Sequence, residues 1–320
     1  LFKTLSAALT ISQVDAPQRR TILSERGNFP TDLYIAEALA REHGFELLLT
    51  DAPEQIAAQL ASGRIAVMML TQVDYKSGRL HDMAALTRMA REHGTLALWD
   101  LAHSAGALPV ALRADGADFA IGCGYKYLNG GPGAPAFVWV HPRHAERFWQ
   151  PLAGWMGHAA PFEFTPAYRP AAGIARYLCG TPALLSMAAL ECGVDSVLAA
   201  EPLGGMAALR AKSLALTDLF IALVEQRCAG HGLAIVTPRE HGLRGSQVAL
   251  ERGEGAYAIV QALIARGVVG DYRAPDVLRF GFTPLYLRFV DVWDAVEHLQ
   301  QVLDSSEWRE PRFHRKAAVT

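Results

Sequence analysis

Of the 320 residues, 51% are apolar and 19% charged, and 30 basic side chains nearly balance 32 acidic ones; this is a globular composition without the basic excess that nucleic acid or an anionic membrane would require. No apolar run approaches the length of a spanning helix, and four scattered cysteines (Cys123, Cys179, Cys192, Cys228) without CxxC spacing read as free thiols in a reducing cytoplasm, with no metal site among them or the eleven histidines. A chain of this length is expected to bury a large core and to divide in two.

The chain starts at Leu1 without Met, and LFKTLSAAL already has helical spacing (Leu1, Leu5, Ala8, Leu9) with no signal-peptide pattern, so a truncated or processed N-terminus is the expectation. RRTILS (19–24) reads as a strand, and GNFPTD (27–32) as a turn opening a helix, with Pro30 near its start and Thr31 and Asp32 able to cap it. That helix stops at Gly44. A strand over 45–49, a helix over 53–62 stopping at Gly63, a strand over 64–71, the loop VDYKSGRL and a helix over 81–93 stopping at Gly94 follow. Both Gly44 and Gly94 close the pentapeptide AREHG, read as two similar helix stops with basic last turns and not as a domain repeat. Three continuous apolar runs, Thr95–Trp99, Asp118–Cys123 and Ala136–Val140, read as buried parallel-type strands. The fold class is α/β, a mostly parallel central sheet flanked by helices.

After Val140 the pattern changes. Residues 141–182 are loop-rich, 183–226 read as a long Ala/Leu-rich connecting helix, and 232–304 read strand, strand, helix, strand, helix, a smaller C-terminal α+β module. The expected division is 1–195 for a large ligand-binding domain, 196–305 for the small domain, and 306–320 for a polar, disordered tail.

The candidate chemistry centres on Leu98–Val140. Asp100 ends the first apolar run there, His103 follows three residues later, and Lys126 sits past the second run between Tyr125 and Tyr127, before the turn Asn129-Gly130-Gly131-Pro132-Gly133. Taken singly, Asp100 could cap a turn, Lys126 could lie on the surface and His103 could be structural. Together, at strand ends where α/β sheets place ligands, they suggest pyridoxal phosphate held by Lys126 as a Schiff base, with Asp100 pairing its pyridinium nitrogen. Phe29 could stack on a flat ring, and Arg279 in VLRFGFTPLY could fork onto a substrate carboxylate. The glycine turn is neither GxGxxG nor GxxxxGKS, so a nucleotide reading is poor.

WDLAHSAGALPV, ADFAIGCGYKYLNGGPGAPAFVWV, GNFPTD and LRFGFTPLY together resemble kynureninase, a fold-type I pyridoxal-phosphate enzyme of the class V aminotransferase superfamily, over nearly the whole chain. The resemblance implies that Lys126 binds the cofactor covalently and that Asp100 meets its ring nitrogen with His103 close by. Phe29 would stack on the ring, and Pro30, Thr31, Asp32 and Thr71 would line it. Tyr125 would bind the phosphate and exchange protons with the substrate, while Trp155 and Thr181 would be donated to the phosphate across a homodimer interface. Arg279 would hold the substrate carboxylate. The implied reaction is hydrolysis of L-kynurenine, or its 3-hydroxy form, to anthranilate or 3-hydroxyanthranilate and L-alanine. Two departures stand out: the family's Ser/Thr-rich phosphate turn would precede Leu1, and Asp74 stands where Asn is expected. The alternatives are another class V enzyme (a cysteine desulfurase, with Cys228 its only loop-like cysteine, or an aminotransferase) and a non-catalytic fragment without its phosphate grip.

Overall fold

The computed structural model describes residues 1–315, and the chain forms two compact units: 1–72, 81–105 and 110–194 in the first, 73–80, 106–109 and 195–315 in the second. In the first unit α1 (Phe2–Asp15) precedes β1 (Thr21–Glu25), α2 (Pro30–His43), β2 (Glu46–Thr50), α3 (Glu54–Ala61), β3 (Ile65–Thr71), α4 (Met83–Glu92) and β4 (Leu96–Asp100). A one-turn α5 (Leu112–Asp115), β5 (Phe119–Cys123), β6 (Ala136–Val140) and a one-turn α6 (Pro142–Ala145) follow, and α7 (Leu184–Leu198) leads the chain on.

The sheet order is β2-β1-β3-β4-β5-β6. The continuous apolar runs have a direct cause in this arrangement: both faces of the central strands are covered. Ile22, Val67, Met69 and Leu98 face one core with α1 and α2. Their neighbours Leu23, Met68, Leu70 and Trp99 face a second core with α3 and α4. The α2 helix begins with Pro30 at its first position and stops at Gly44, whose φ of +69° needs a residue without Cβ. Asp82 caps α4 by accepting from Ala85 N at 2.9 Å.

One strand corrects the sequence reading. β6 runs antiparallel to β5, pairing Phe119 with Val140 and Cys123 with Ala136, and it is the half-buried edge of the sheet. The cause is connection length: residues 124–135 make a returning loop with no crossover helix, and a parallel neighbour needs such a crossover.

The second unit contains α8 (Gly205–Arg227), β7 (Ala234–Ile235), β8 (Gln247–Glu251), α9 (Ala256–Ala265), β9 (Asp271–Arg273), β10 (Val277–Gly281) and α10 (Phe289–Ser305). Its antiparallel sheet has the order β7-β8-β10-β9, and its core joins Phe220, Leu250, Ile259, Leu263, Leu278, Phe280 and Val296.

Four further differences from the sequence reading appear. The expected single helix over 183–226 is broken between α7 and α8 at a short 3-10 turn (Glu201–Leu203), where Gly204 and Gly205 both take positive φ. β9 is too short to show a strand pattern. The tail after Ser305 is ordered through residue 315, with Trp308 and Phe313 buried in the second core and Trp308 seated where a Cβ on Gly255 would fall 2.3 Å from its ring; residues 316–320 of that expected tail lie outside the described residues. Finally, the division is not contiguous. Residues 73–80 join the second unit through Gln247 Nε2, which donates to the carbonyls of Asp74 and Tyr75 (3.1 Å each), and through Gly245 N, which donates to Gly78 O at 2.8 Å.

Asp74 fits this loop as well as Asn would. Its Oδ1 accepts from Lys76 N (3.1 Å), Ser77 N (2.6 Å) and Ser77 Oγ (2.6 Å), so the position uses an acceptor only. No helix among the described residues is long and apolar enough to cross a membrane.

Candidate active site

The parallel strands of the first unit end together, with Thr71 of β3 in register with Asp100 of β4, and Asp100 in register with Ile121 of β5. Strand ends on this edge are where open α/β sheets bind ligands. Asp100 is 7% exposed, and its Oδ1 accepts from Ala102 N at 2.8 Å. Burial is the main force on its carboxyl and raises its pKa above the ordinary carboxylate value. Asp32, in the first turn of α2 and also 7% exposed, faces it. Burial first, then the charge of Asp100, pushes the Asp32 carboxyl up to about 7. The buried Oδ2 of Asp32 has no hydrogen-bond partner. The charge of each carboxyl opposes ionisation of the other, and an N–H donor or a cationic nitrogen beside them would let both ionise.

The sign of the linkage gives a test. A carboxyl whose folded pKa lies above its unfolded value binds its proton more tightly in the fold, so stability is lost as pH rises from about 4 to about 7. In the cofactor-free protein, Asp32→Asn is expected to flatten the fall in urea midpoint across that window; an equally steep fall in the variant would assign it to other groups.

Lys126 lies three residues past β5. Its turn is held by Asn129 N donating to Lys126 O and Gly130 N donating to Gly124 O, both 2.9 Å. Gly193 of α7 packs directly on this turn: a Cβ there would stand 2.4 Å from Leu128 O. The Nζ of Lys126 is 2.9 Å from His103 Nε2 and 5.5 Å from the centre of the Tyr125 ring, which is itself half exposed. Tyr127 points into the core instead.

The β1–α2 turn depends on a residue the sequence reading passed over. Asn28 Oδ1 accepts from Phe29 N at 2.6 Å and from Thr71 Oγ1, while its Nδ2 donates to Ser24 Oγ at 3.1 Å. This buried amide fixes the loop that carries Phe29, Pro30, Thr31 and Asp32. Phe29 itself is 41% exposed and Thr31 is exposed, while Asp32 and Thr71 are buried. An Asn two residues before the proline that opens the helix was the available signal. Beside Asn28's loop, His81 Nε2 lies 2.7 Å from Glu25 Oε2 at the end of β1, a second pairing that no spacing in the sequence indicated.

Trp155 and Thr181 belong to the loop-rich segment after α6. Trp155 rests on Phe162 and Phe164, with ring centres 5.6 and 6.1 Å away, beside an open pocket of about 280 Å³ that also takes in His158, Thr165 and Tyr168. Thr181 is exposed. The backbone on either side of Trp155 is pressed against that of Cys179: Met156 N donates to Cys179 O at 3.0 Å, and a Cβ on Gly154 would meet the same carbonyl oxygen at 2.4 Å.

Arg279 belongs to the second unit. It lies on β10 opposite Asp271 of β9, is 8% exposed, and donates from Nε to Asp271 Oδ1 (2.9 Å), from Nη2 to Asp271 Oδ2 (2.6 Å) and from Nη1 to Tyr75 O.

The family described as "Aminotransferase class-V" matches residues 7–237, and "Kynureninase C-terminal domain" matches residues 209–299. Proteins named kynureninase from Pseudomonas fluorescens and from Burkholderia mallei are each 56% identical over 322 aligned positions, covering all of this chain and 76% of their own length. Among solved structures, an apo cysteine desulfurase from Thermococcus onnurineus superposes with a TM-score of 0.77 at 15% identity (95% of this chain, 78% of that one). The cystine C-S lyase C-DES, bound to its product cysteine persulfide, superposes with a TM-score of 0.74 at 18% identity (93% and 79%). In another structure C-DES carries glycine linked covalently to its pyridoxal-phosphate cofactor, with a TM-score of 0.71 at 19% identity (93% and 78%). At such identities these structures share the fold, whereas the full-length similarity at 56% identity settles the family. The chain belongs to the kynureninase family, within the class V aminotransferases.

Proposed function

We propose that this chain hydrolyses the Cβ–Cγ bond of L-kynurenine, and of its 3-hydroxy form, releasing anthranilate or 3-hydroxyanthranilate and L-alanine in tryptophan degradation. The observation that carries the proposal is the strand-end constellation of Lys126 Nζ, 2.9 Å from His103 Nε2, and the buried Asp100–Asp32 pair. Pyridoxal phosphate fits these residues: the orphaned Asp32 oxygen and the raised carboxyls call for an N–H cation, and a protonated pyridine nitrogen is one. When bound, the cofactor supplies an electron sink for the pair left on the substrate's α-carbon.

The chain's own residues divide the remaining work. Asp100, with Asp32 beside it, would hold the proton on the ring nitrogen. Lys126 would anchor the cofactor, then take the substrate's α-proton and return it on the way to alanine. His103 touches the Lys126 amine and fixes its position. Tyr125, half exposed beside Lys126, is assigned to the phosphate and to proton transfer at the side-chain carbonyl, where water adds before the bond breaks. Phe29 is assigned to stacking on the ring, with Pro30, Thr31 and Thr71 around it. Arg279 is assigned to the substrate carboxylate. Trp155 and Thr181, exposed or half exposed here, are assigned to the phosphate of a second copy, which makes the working unit a homodimer with shared sites. The scattered free thiols suit a cytoplasmic enzyme.

Cys228 counts against a desulfurase. Such an enzyme needs an exposed nucleophilic thiol, but Cys228 is buried, and burial pushes its pKa up to about 11. The test is direct: the purified chain, reconstituted with pyridoxal phosphate and given L-kynurenine, is expected to release fluorescent anthranilate and one equivalent of alanine. Appearance of a keto acid would favour an aminotransferase, and a protein that stays colourless would favour the non-catalytic reading.

A further inference from the structure

We infer that Asp271 is a positioning residue for Arg279, holding its guanidinium so that the carboxylate of an α-amino-acid substrate meets two oriented donors; this rests on the assignment of Arg279 to that carboxylate. The pair is built across β9 and β10, where Asp271 and Arg279 are directly opposed, so the backbone register itself sets the distance. Arg279 is 8% exposed, and a buried guanidinium keeps one geometry only when its donors are met.

Counting donors shows what the arrangement leaves. A guanidinium has five N–H groups. Asp271 takes the side edge, with Nε donating to Oδ1 at 2.9 Å and Nη2 to Oδ2 at 2.6 Å, and Tyr75 O takes one N–H of Nη1. One N–H on each terminal nitrogen is not used by these contacts, which is the number a carboxylate needs for a two-point grip. The second anchor is itself fixed, because Tyr75 O also accepts from Gln247 Nε2 at 3.1 Å and the loop bearing it is closed by Asp74. With both the side edge and Nη1 tied down, the fork is oriented before substrate arrives, and the ordering cost of binding is reduced accordingly. An Asp271 that merely occupied Arg279 until substrate displaced it would act in the opposite sense, and the two roles separate by experiment.

The test uses the cofactor-loaded enzyme and compares L-kynurenine with its α-carboxamide. Asp271→Asn keeps the shape and removes the charge. It is expected to raise KM for kynurenine by about 10-fold or more while kcat changes by less than about 3-fold, and to erase most of the preference for acid over amide. The cofactor's visible absorbance serves as the folding control. An unchanged or lowered KM, or a loss of kcat with the acid/amide preference intact, would overturn the inference. Asp271→Glu, which restores the charge, is expected to recover part of the preference, and it carries the same test should Asp271→Asn not fold. Arg279→Lys distinguishes the two levels. If it leaves the acid/amide preference intact, the Arg279 assignment fails; if it removes the preference while Asp271→Asn does not, only the role of Asp271 fails.

Discussion

Lys126→Ala is expected to yield a folded protein that loses the visible absorbance of lysine-bound cofactor, together with at least about 10³-fold of its kynurenine-cleaving rate. The fold should tolerate the change. Lys126 sits in a turn whose backbone is closed by Asn129 N and Gly130 N and packed against Gly193, and none of those contacts uses the side chain. The side chain instead reaches His103 Nε2 at 2.9 Å. The substitution therefore removes chemistry without removing support, and circular dichroism and urea midpoint should stay near the parent's. The cofactor's ring nitrogen would still find Asp100 and Asp32, so weak, colour-shifted binding is compatible with the assignment. An unchanged visible spectrum in the variant would refute it.

Much of this was legible from residue order. The alternation of apolar runs and helical stretches from β1 to β5 follows from a sheet covered on both faces, and the continuous runs Ile65–Thr71 and Leu96–Trp99 could hardly serve any other environment. That Lys126 and His103 come together beside Asp100 was foreseeable because strand ends are short and predictable, so three chemistry-bearing residues there stand out. What escaped has physical causes. The direction of β6 depends on how a twelve-residue loop returns, which composition does not encode. Asp271 sits on a three-residue strand, below the length at which alternation can be seen, yet it is the partner of Arg279. Asn28 organises its turn through three side-chain hydrogen bonds, one of them to Thr71 on another strand and 43 residues away. The excursion of residues 73–80 into the second unit is made by carbonyls accepting from Gln247, and backbone acceptors look alike in every sequence.

The largest effect on stability is expected at Asp118, at the opposite end of β5 from the lysine turn. Its side chain is 5% exposed and acts as an added rung between strands: Oδ2 accepts from Ala97 N of β4 at 2.8 Å. Its Oδ1 takes Arg143 and the buried His144 Nε2 (2.7 Å), tying the turn after β6 to the same point. Burial alone would raise this carboxyl's pKa, but the hydrogen bonds from His144, Ala97 N and Arg143 outweigh it and hold it below the ordinary value. Asp118→Ala leaves a buried imidazole and a buried strand N–H without their acceptor, and should cost about 3–5 kcal/mol at neutral pH. The pH dependence follows from the depressed pKa. The contribution of Asp118 is complete above its unfolded value of 3.8 and disappears as pH falls through the lower folded value, so parent and variant should converge only in strong acid. Chemical denaturation at pH 7 and again near pH 3 measures both quantities. A difference below about 1 kcal/mol at pH 7 would show that the two strands are held without this carboxylate. Because β4 also ends in Asp100 and β5 leads to Lys126, cofactor affinity in the variant should weaken along with stability, although no atom of Asp118 belongs to the proposed site.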